Sequence, residues 1–329
     1  MKSSWLFILM LFLRLANEDF DMDNSSNIRD IILKNVNRKK TRSMEKVMPI
    51  FFFLMAFISV ITSIGIVFTL LVDAVKFFRE VPIWEVFSTK LAPLGSNPSF
   101  GIIPLITGTI ITSLIAMLVA VPIGLTAAMY LSEFASDRKR KILKPIMEVL
   151  AGIPTIVYGF FAYSFVTPLL MKLIPGLEAK NALSPGIVMG IMIIPLITSL
   201  SEDAMSSVPN SIREGSLALG STKLETTIKV IFPAAISGII ASFVLGISRA
   251  IGETMIVTIA SGSSKNFTFD ITQSMQTMTA YIVEFTSGDA GSGTVGYNSL
   301  YAVGLLLFIF TLLMNLLAQH ISRKYREVY

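Results

Sequence analysis

Pro209-Asn210-Ser211-Ile212-Arg213-Glu214-Gly215-Ser216-Leu217-Ala218-Leu219-Gly220 is followed at once by Ser221-Thr222-Lys223-Leu224-Glu225 and then, eleven residues after Gly220, by Ile231-Phe232-Pro233. Ser211 and Glu214 have the spacing of a capping box, and Gly220 supplies the residue that can end the helix in a left-handed conformation. Thr222 and Glu225 repeat the box and open a second helix that runs toward Pro233. The spacing predicts a short helix, a glycine turn and another helix entering an apolar run, Val230 to about Ala260. Such a hairpin offers one face to a partner.

The surroundings of the hairpin are those of a membrane protein. Only 15% of the residues are charged against 53% hydrophobic, with mean hydropathy +0.70, whereas soluble domains carry about 25% charge. No charged residue separates Lys90 from Glu133, nor Asp289 from Arg323, and about 20 apolar residues suffice for a helix to cross a bilayer. Unpaired backbone cannot face lipid, so each apolar run is read as a helix. Six spans are expected, at about 48–72, 103–131, 149–171, 182–201, 230–260 and 298–319, with the hairpin between spans four and five. The fold class expected is therefore all-α integral membrane.

Basic residues serve as a topology ruler. With the N-terminus inside, 17 Lys and Arg fall in the inside segments and 6 in the outside ones. Both termini and the 202–229 hairpin are thus expected on the cytoplasmic face. Residues 1–47 fit poorly: Trp5 to Ala16 is too short to span and carries Arg14, and no convincing cleavage site follows. A surface-lying leader, a signal peptide, or translation beginning at Met22 or Met44 all stay open for this segment. The net charge of +5 is accounted for by the loops and gives no reason to expect nucleic acid.

Several chemistries are excluded outright. The chain has no cysteine and a single histidine, His320, so thiolate sites, iron–sulfur clusters and clustered-histidine metal sites are ruled out. Gly215 and Gly220-Ser221-Thr222 come one residue short of a phosphate-cradling loop, with Ser221 where lysine is required and no preceding strand. ATP hydrolysis is therefore expected on another polypeptide, and no cofactor on this one.

One pair of charges remains inside an apolar run. Arg249 and Glu253 lie in Arg249-Ala250-Ile251-Gly252-Glu253-Thr254-Met255, four apart and so on one helical face about 6 Å apart along the axis. Ionisable groups at membrane depth cost roughly 2.5–3.5 kcal/mol each on insertion scales, and they face a cavity or one another. Two readings stay open: an ion pair that fixes helix register, or a planar cationic fork offered to a passing oxyanion, with Glu253 holding the fork between events.

Glu214-Gly215-Ser216 with Gly220 and the later Ile231-Phe232-Pro233 resembles the EAA loop of importer-type ABC transporter permeases. Gly215 and Ser216 replace the usual alanines, and both are small enough to keep close helix packing. The Arg249–Met255 segment is similar to the fifth-span signature of phosphate-specific Pst permeases. Ala151-Gly152-Ile153-Pro154-Thr155-Ile156-Val157-Tyr158-Gly159 resembles their third-span motif, with Thr155 in place of serine, and its tyrosine favours the PstC-type subunit. The resemblance covers about residues 48–329.

It implies a pathway subunit without catalytic residues, placed in a prokaryotic cell membrane. Arg249 and Glu253 would lie on the route of inorganic phosphate. Glu214, Gly215, Ser216, Gly220 and Pro233 would couple to a PstB-type ATPase that binds ATP and Mg. Gly152, Pro154, Tyr158 and Gly159 would form the third-span motif. A PstA-type second permease would complete the pathway, and an external phosphate-binding protein would seat on loops 73–100 and 261–297. A permease for molybdate or sulfate, or a stand-alone channel or secondary transporter, is the alternative.

Weaker features give further expectations. Gly186 and Gly190 permit close helix approach, either within the chain or to a subunit. Gly152 and Pro154 break a helix, either to line a cavity or merely to kink. Ile271, Met275, Met278, Ile282 and Phe285 recur at helical spacing in the external segment and predict an amphipathic helix, for recognition or for packing. Glu148 reads as an interfacial carboxylate beside the basic loop 138–144.

Overall fold

The computed structural model describes residues 39–93, 97–289 and 293–324; the expected leader lies outside the described residues as far as position 38. The chain divides at Gly65 into two units. In the first, every described residue belongs to α1 (Lys39–Glu80), and its side chains from Val47 to Gly65 are exposed. Phe52, Phe53 and Ile64 are among them. A helix apolar on all sides and without internal cover is what a lipid-facing span requires.

Among its described residues the second unit is helical apart from one ribbon, in which β1 (Leu91–Ala92) pairs antiparallel with β2 (Ser99–Phe100). α2 (Ile103–Met129) continues through a widened turn at Tyr130–Phe134, and α3 (Asp137–Ala151) follows. α4 (Thr155–Phe161) and α5 (Thr167–Leu173) are joined by a second widened turn. Then come α6 (Leu183–Ser206), the hairpin helices α7 (Asn210–Ala218) and α8 (Lys223–Thr226), α9 (Ile236–Ile251), α10 (Met255–Ala260), α11 (Met278–Glu284) and α12 (Val295–Lys324). Among the described residues five helices are long and apolar enough to cross a membrane, or six when the pair bent by 73° on either side of Ala235 counts as one span. The all-helical membrane class expected from composition holds.

Breaks occur where local chemistry dictates. The third span starts at Thr155 rather than near 149, because Val149 to Ala151 complete α3 before Gly152 and Pro154 end it. The fifth span is not one helix over 230–260. It bends at Ala235, two residues after Pro233, and breaks again between Ile251 and Met255, where Gly252 follows the last helical residue. Two expectations of local structure fail. Ser211 does not cap α7, which starts at Asn210 after Pro209 and has no side-chain cap, since proline's fixed φ already suits the entry to a helix. The external helix spans only Met278–Glu284; Ile271 lies in a turn and Met275 in irregular chain before it, although Met275, Met278 and Phe285 are buried. That segment packs into the core rather than presenting an apolar face.

α6 is the central element, with 61% of its apolar window buried against 33% for α2 and less for the other spans. Glycine makes this possible. A Cβ on Gly186 would stand 2.7 Å from the Ile115 side chain, and one on Gly190 would stand 2.7 Å from the Ala116 carbonyl oxygen. Both partners belong to α2, so the paired glycines serve contact within the chain. Gly124 of α2 returns the fit against Ile197, and Thr198 donates to the Gly124 carbonyl at 3.2 Å. On its other flank α6 meets α9 through the Ser201–Ser242 hydroxyl pair at 2.8 Å.

Overpacking a close contact costs about 1–3 kcal/mol. Gly190→Val is expected to lower the thermal midpoint of the purified protein and its yield as a monodisperse species. Gly65→Val, where an added Cβ meets nothing within 4 Å, is expected to leave the packing of the second unit unchanged.

Candidate functional site

The site is built at the end of α9. Arg249 occupies the last turn of that helix, where the backbone dipole favours a cation. The helix stops at Ile251, so Arg249 and Glu253 do not share a continuous face. They meet across the break instead, with Arg249 Nη1 donating to Glu253 Oε2 at 2.7 Å. Past Gly252 the chain turns back far enough for the carboxylate also to accept from the Met255 N–H at 3.2 Å.

The two partners are unequally placed. Glu253 has a side-chain exposure of 2%, Arg249 one of 43%. A buried carboxylate deprived of its cation costs about 3–5 kcal/mol, so Glu253 holds Arg249 firmly by one edge. The other edge is nearly free: Nη2 faces only the Met192 thioether at 3.7 Å, a weak acceptor. Chemically this is a desolvated carboxylate anchoring a guanidinium whose second pair of donors is open to an anion.

The groups that position Glu253 lie on two other elements. The Thr279 hydroxyl, in α11, donates to the Glu253 carbonyl oxygen at 2.7 Å. α11 is itself tied to α2 by the Met278 N–H, which donates to the Thr109 hydroxyl at 3.0 Å. From the third span, a Cβ on Gly159 would stand 3.0 Å from the Met255 carbonyl oxygen and 3.1 Å from the Ile256 Cα, so α4 lies directly against α10. Tyr158 is buried one residue before, and its hydroxyl donates to the Leu150 carbonyl at 2.9 Å, an oxygen that also accepts from the Ile153 N–H where α3 ends. The structure thus brings Tyr158 and Gly159 to the helix that follows Glu253. Gly152 and Pro154 serve the break itself, beside a cavity of about 390 Å³ lined by Lys144, Glu148, Ala151, Thr198, Glu202 and Asp203.

The hairpin is a separate surface. Gly220 has φ +89° and ends the α7 segment as expected. The Thr222–Glu225 capping box forms in both directions. Ser216 is buried and pairs with the Thr226 hydroxyl at 2.9 Å across the hairpin. Gly215, by contrast, has nothing within 4 Å of an added Cβ, so it does not serve packing inside this chain. Glu214 and Gly215 are exposed; Leu217, Leu219 and Leu224 are exposed to 47%, 90% and 56%, an apolar tip that only a partner can cover. Pro233 lies in the short turn Phe232–Ala234 before the bend.

Sequence reasoning missed two carboxylates. Glu202 is buried and ion-paired to Arg140 at 3.0 Å and Lys144 at 2.5 Å. Glu133 is paired to Arg213 at 3.2 Å. Their partners lie on other elements, and no spacing rule links them. Among the described residues no cluster of His, Asp and Glu could hold a metal.

Residues 120–327 match the family model described as "Binding-protein-dependent transport system inner membrane component". The chain is 35% identical over 243 residues to the "Probable ABC transporter permease protein YqgH" of Bacillus subtilis, covering 74% of this chain and 78% of that one. It is 33% identical over 264 residues to the "Phosphate transport system permease protein PstC" of Mesorhizobium japonicum, covering 72% and 80%. A probable PstC of Methanocaldococcus jannaschii matches at 32% over 294 residues, covering 80% and 92%. Among solved structures, a bacterial alginate ABC transporter in complex with its pentasaccharide-bound periplasmic protein matches with TM-score 0.57 at 16% identity, covering 84% and 95%. An inward-facing MetNI methionine ABC transporter matches with TM-score 0.53 at 15% identity, covering 69% and 95%. These two show the shared fold.

The Thr279 hydroxyl gives a direct check on how Glu253 is held. Thr279→Val keeps the shape and removes two buried hydrogen bonds, to the Glu253 carbonyl and with the Thr277 hydroxyl, each worth about 1 kcal/mol. A lower thermal midpoint is expected for the valine variant, and a normal one for Thr279→Ser.

Proposed function

Because the chain belongs to the family of binding-protein-dependent transport system inner membrane components, we propose that it is the PstC-type permease subunit of an ATP-driven importer of inorganic phosphate. It is a multi-pass inner-membrane permease subunit of an ABC importer, and the ATPase is a separate polypeptide. The rest is our reading. The hairpin lies on the cytoplasmic side with both termini, and Glu214, Gly215, Leu217 and Leu219 meet a PstB-type ATPase that carries ATP and Mg. A PstA-type chain forms the other half of the pathway, and an external phosphate-binding protein delivers the ion.

The observation that carries the phosphate reading is the half-open guanidinium of Arg249. One edge is fixed by a carboxylate with 2% exposure and the other has no strong acceptor, which leaves a charged, planar pair of donors for a tetrahedral oxyanion. At 43% side-chain exposure and membrane depth this cation cannot face lipid cheaply, so a second permease half with a water-filled path between the two answers the need. Relatives named as phosphate permeases support the choice of phosphate over other oxyanions. Glu253 then acts as the resident counter-ion: it neutralises Arg249 between events and yields an edge to the substrate, and no covalent bond changes in this chain.

Arg249→Gln is expected to abolish phosphate uptake in proteoliposomes while co-purification with the second permease and the ATPase persists; normal uptake in that variant would defeat the assignment. Sulfate and molybdate, tested as competitors on the wild-type complex, are expected to leave phosphate uptake unchanged. Gly220→Val is expected to detach the ATPase, since φ +89° is a genuine outlier for a β-branched residue.

A further inference from the structure

Two guanidinium groups away from Arg249 bind three helix ends together. Arg213 belongs to α7, yet it reaches away from the exposed leucines. Its Nη2 donates to the Met205 carbonyl at 2.6 Å and its Nη1 to the Val208 carbonyl at 2.5 Å and to Asn210 Oδ1 at 3.0 Å. Met205 lies in the last turn of α6 and Val208 just beyond it, where carbonyls have no helical partner. The same guanidinium donates to Glu133 Oε1 through Nε at 3.3 Å and Nη2 at 3.2 Å; Glu133 stands in the widened turn that ends span two.

Arg140, from α3, does the complementary job. Its Nη2 donates to the Leu131 and Ser132 carbonyls at 3.0 and 3.3 Å, again at the end of span two. It pairs with Glu202 of α6 at 3.0 Å, and Lys144 one turn on reaches the other carboxylate oxygen. Glu202 and Glu133 have side-chain exposures of only 2% and 7%. Stripping a buried carboxylate of its cation is strongly unfavourable, so neither contact opens readily. Above this level α2 and α6 are already interlocked at Gly186, Gly190 and Gly124.

We propose that Arg213–Glu133 and Arg140–Glu202 form a clasp that makes the hairpin, α2 and α6 one transmission block. A push on the hairpin is delivered to spans two and four together. It reaches the substrate-holding arginine through α6, whose Met192 touches Arg249. The covalent route from hairpin to α9 is bent by 73°, a joint that carries an axial push poorly. Arg213, Glu133, Arg140 and Glu202 are thus positioning residues for coupling. The inference rests on membership in the ABC importer permeases, not on phosphate as the substrate.

The test uses the assembled complex with its ATPase and second permease. The native chain lacks cysteine, so spin labels at Ser211→Cys in α7 and Asp203→Cys in α6, both exposed positions, report one distance without background. That distance is expected to stay constant between the nucleotide-free and the ATP–vanadate-trapped states, and to broaden in Arg213→Gln. In proteoliposomes, Glu133→Gln and Arg213→Gln are expected to keep ATP hydrolysis while phosphate uptake per ATP falls at least about tenfold, a loss of roughly 1.4 kcal/mol of coupling. Should Arg213→Gln fail to assemble, the isosteric Glu133→Gln decides alone. Uptake and hydrolysis that fall together at a constant ratio, or a 203–211 distance that shifts on ATP trapping in the unaltered clasp, would overturn the proposal. Absence of phosphate uptake in the wild type would instead count against the substrate, and the distance measurement would still stand.

Discussion

A carboxylate withdrawn from water must keep a cation within reach, and the polar organisation of this membrane protein follows from that constraint. Glu253, Glu202 and Glu133 are the deeply placed carboxylates whose contacts define it, and each is met by an arginine. Desolvating an ion costs several kcal/mol, which only close, well-hydrogen-bonded geometry repays. Each pair therefore dictates where its helices stand. Glu253 holds the end of α9 against the start of α10; Glu202 holds α3 to α6; Glu133 holds the hairpin to the end of span two.

Small residues set the complementary condition. In lipid the approach of two helices gains no hydrophobic driving force, so contact depends on how closely backbones come. Gly186 and Gly190 let α2 and α6 touch along their length, and Gly159 lets α4 reach the backbone of α10. The motif in the third span and the charged pair in the fifth, about a hundred residues apart, thereby become one site. Tyr158, one residue before Gly159, ties the start of α4 to the end of α3 through its hydrogen bond to the Leu150 carbonyl.

Much of this was legible early. The apolar runs, the second capping box and the glycine stop at Gly220 rest on composition and local spacing, which survive folding; Arg249 and Glu253 do pair, but across the helix break after Ile251 rather than along one helical face. The failures are equally physical. Ser211 does not cap because Pro209 holds the N-cap position and the helix has begun at Asn210. Ile271 and Met275 have helical spacing, but Ile271 sits in a turn and Met275 in irregular chain, where hydrogen bonds from the Met275 N–H to the Ser261 carbonyl and from the Gln276 N–H to the Ser264 carbonyl tie it to the 261–264 stretch instead. Glu133 and Glu202 carried no signal, since Arg213 is 80 positions from the first and Arg140 over 60 from the second.

That this chain lies in a membrane, where its apolar runs lie, where the hairpin turns and which arginine stands among apolar residues can all be read from the order of residues alone. Those are consequences of composition and of periods of three and four residues. Folding in three dimensions was needed to place the arginine's carboxylate beyond a helix break with one edge of the guanidinium open, to seat the paired glycines against α2, and to fasten the hairpin to spans two and four before it enters span five. Each of these depends on which distant groups end up within 3–4 Å, and that is settled by close packing and by the need to pair every desolvated charge, neither of which has a period along the chain.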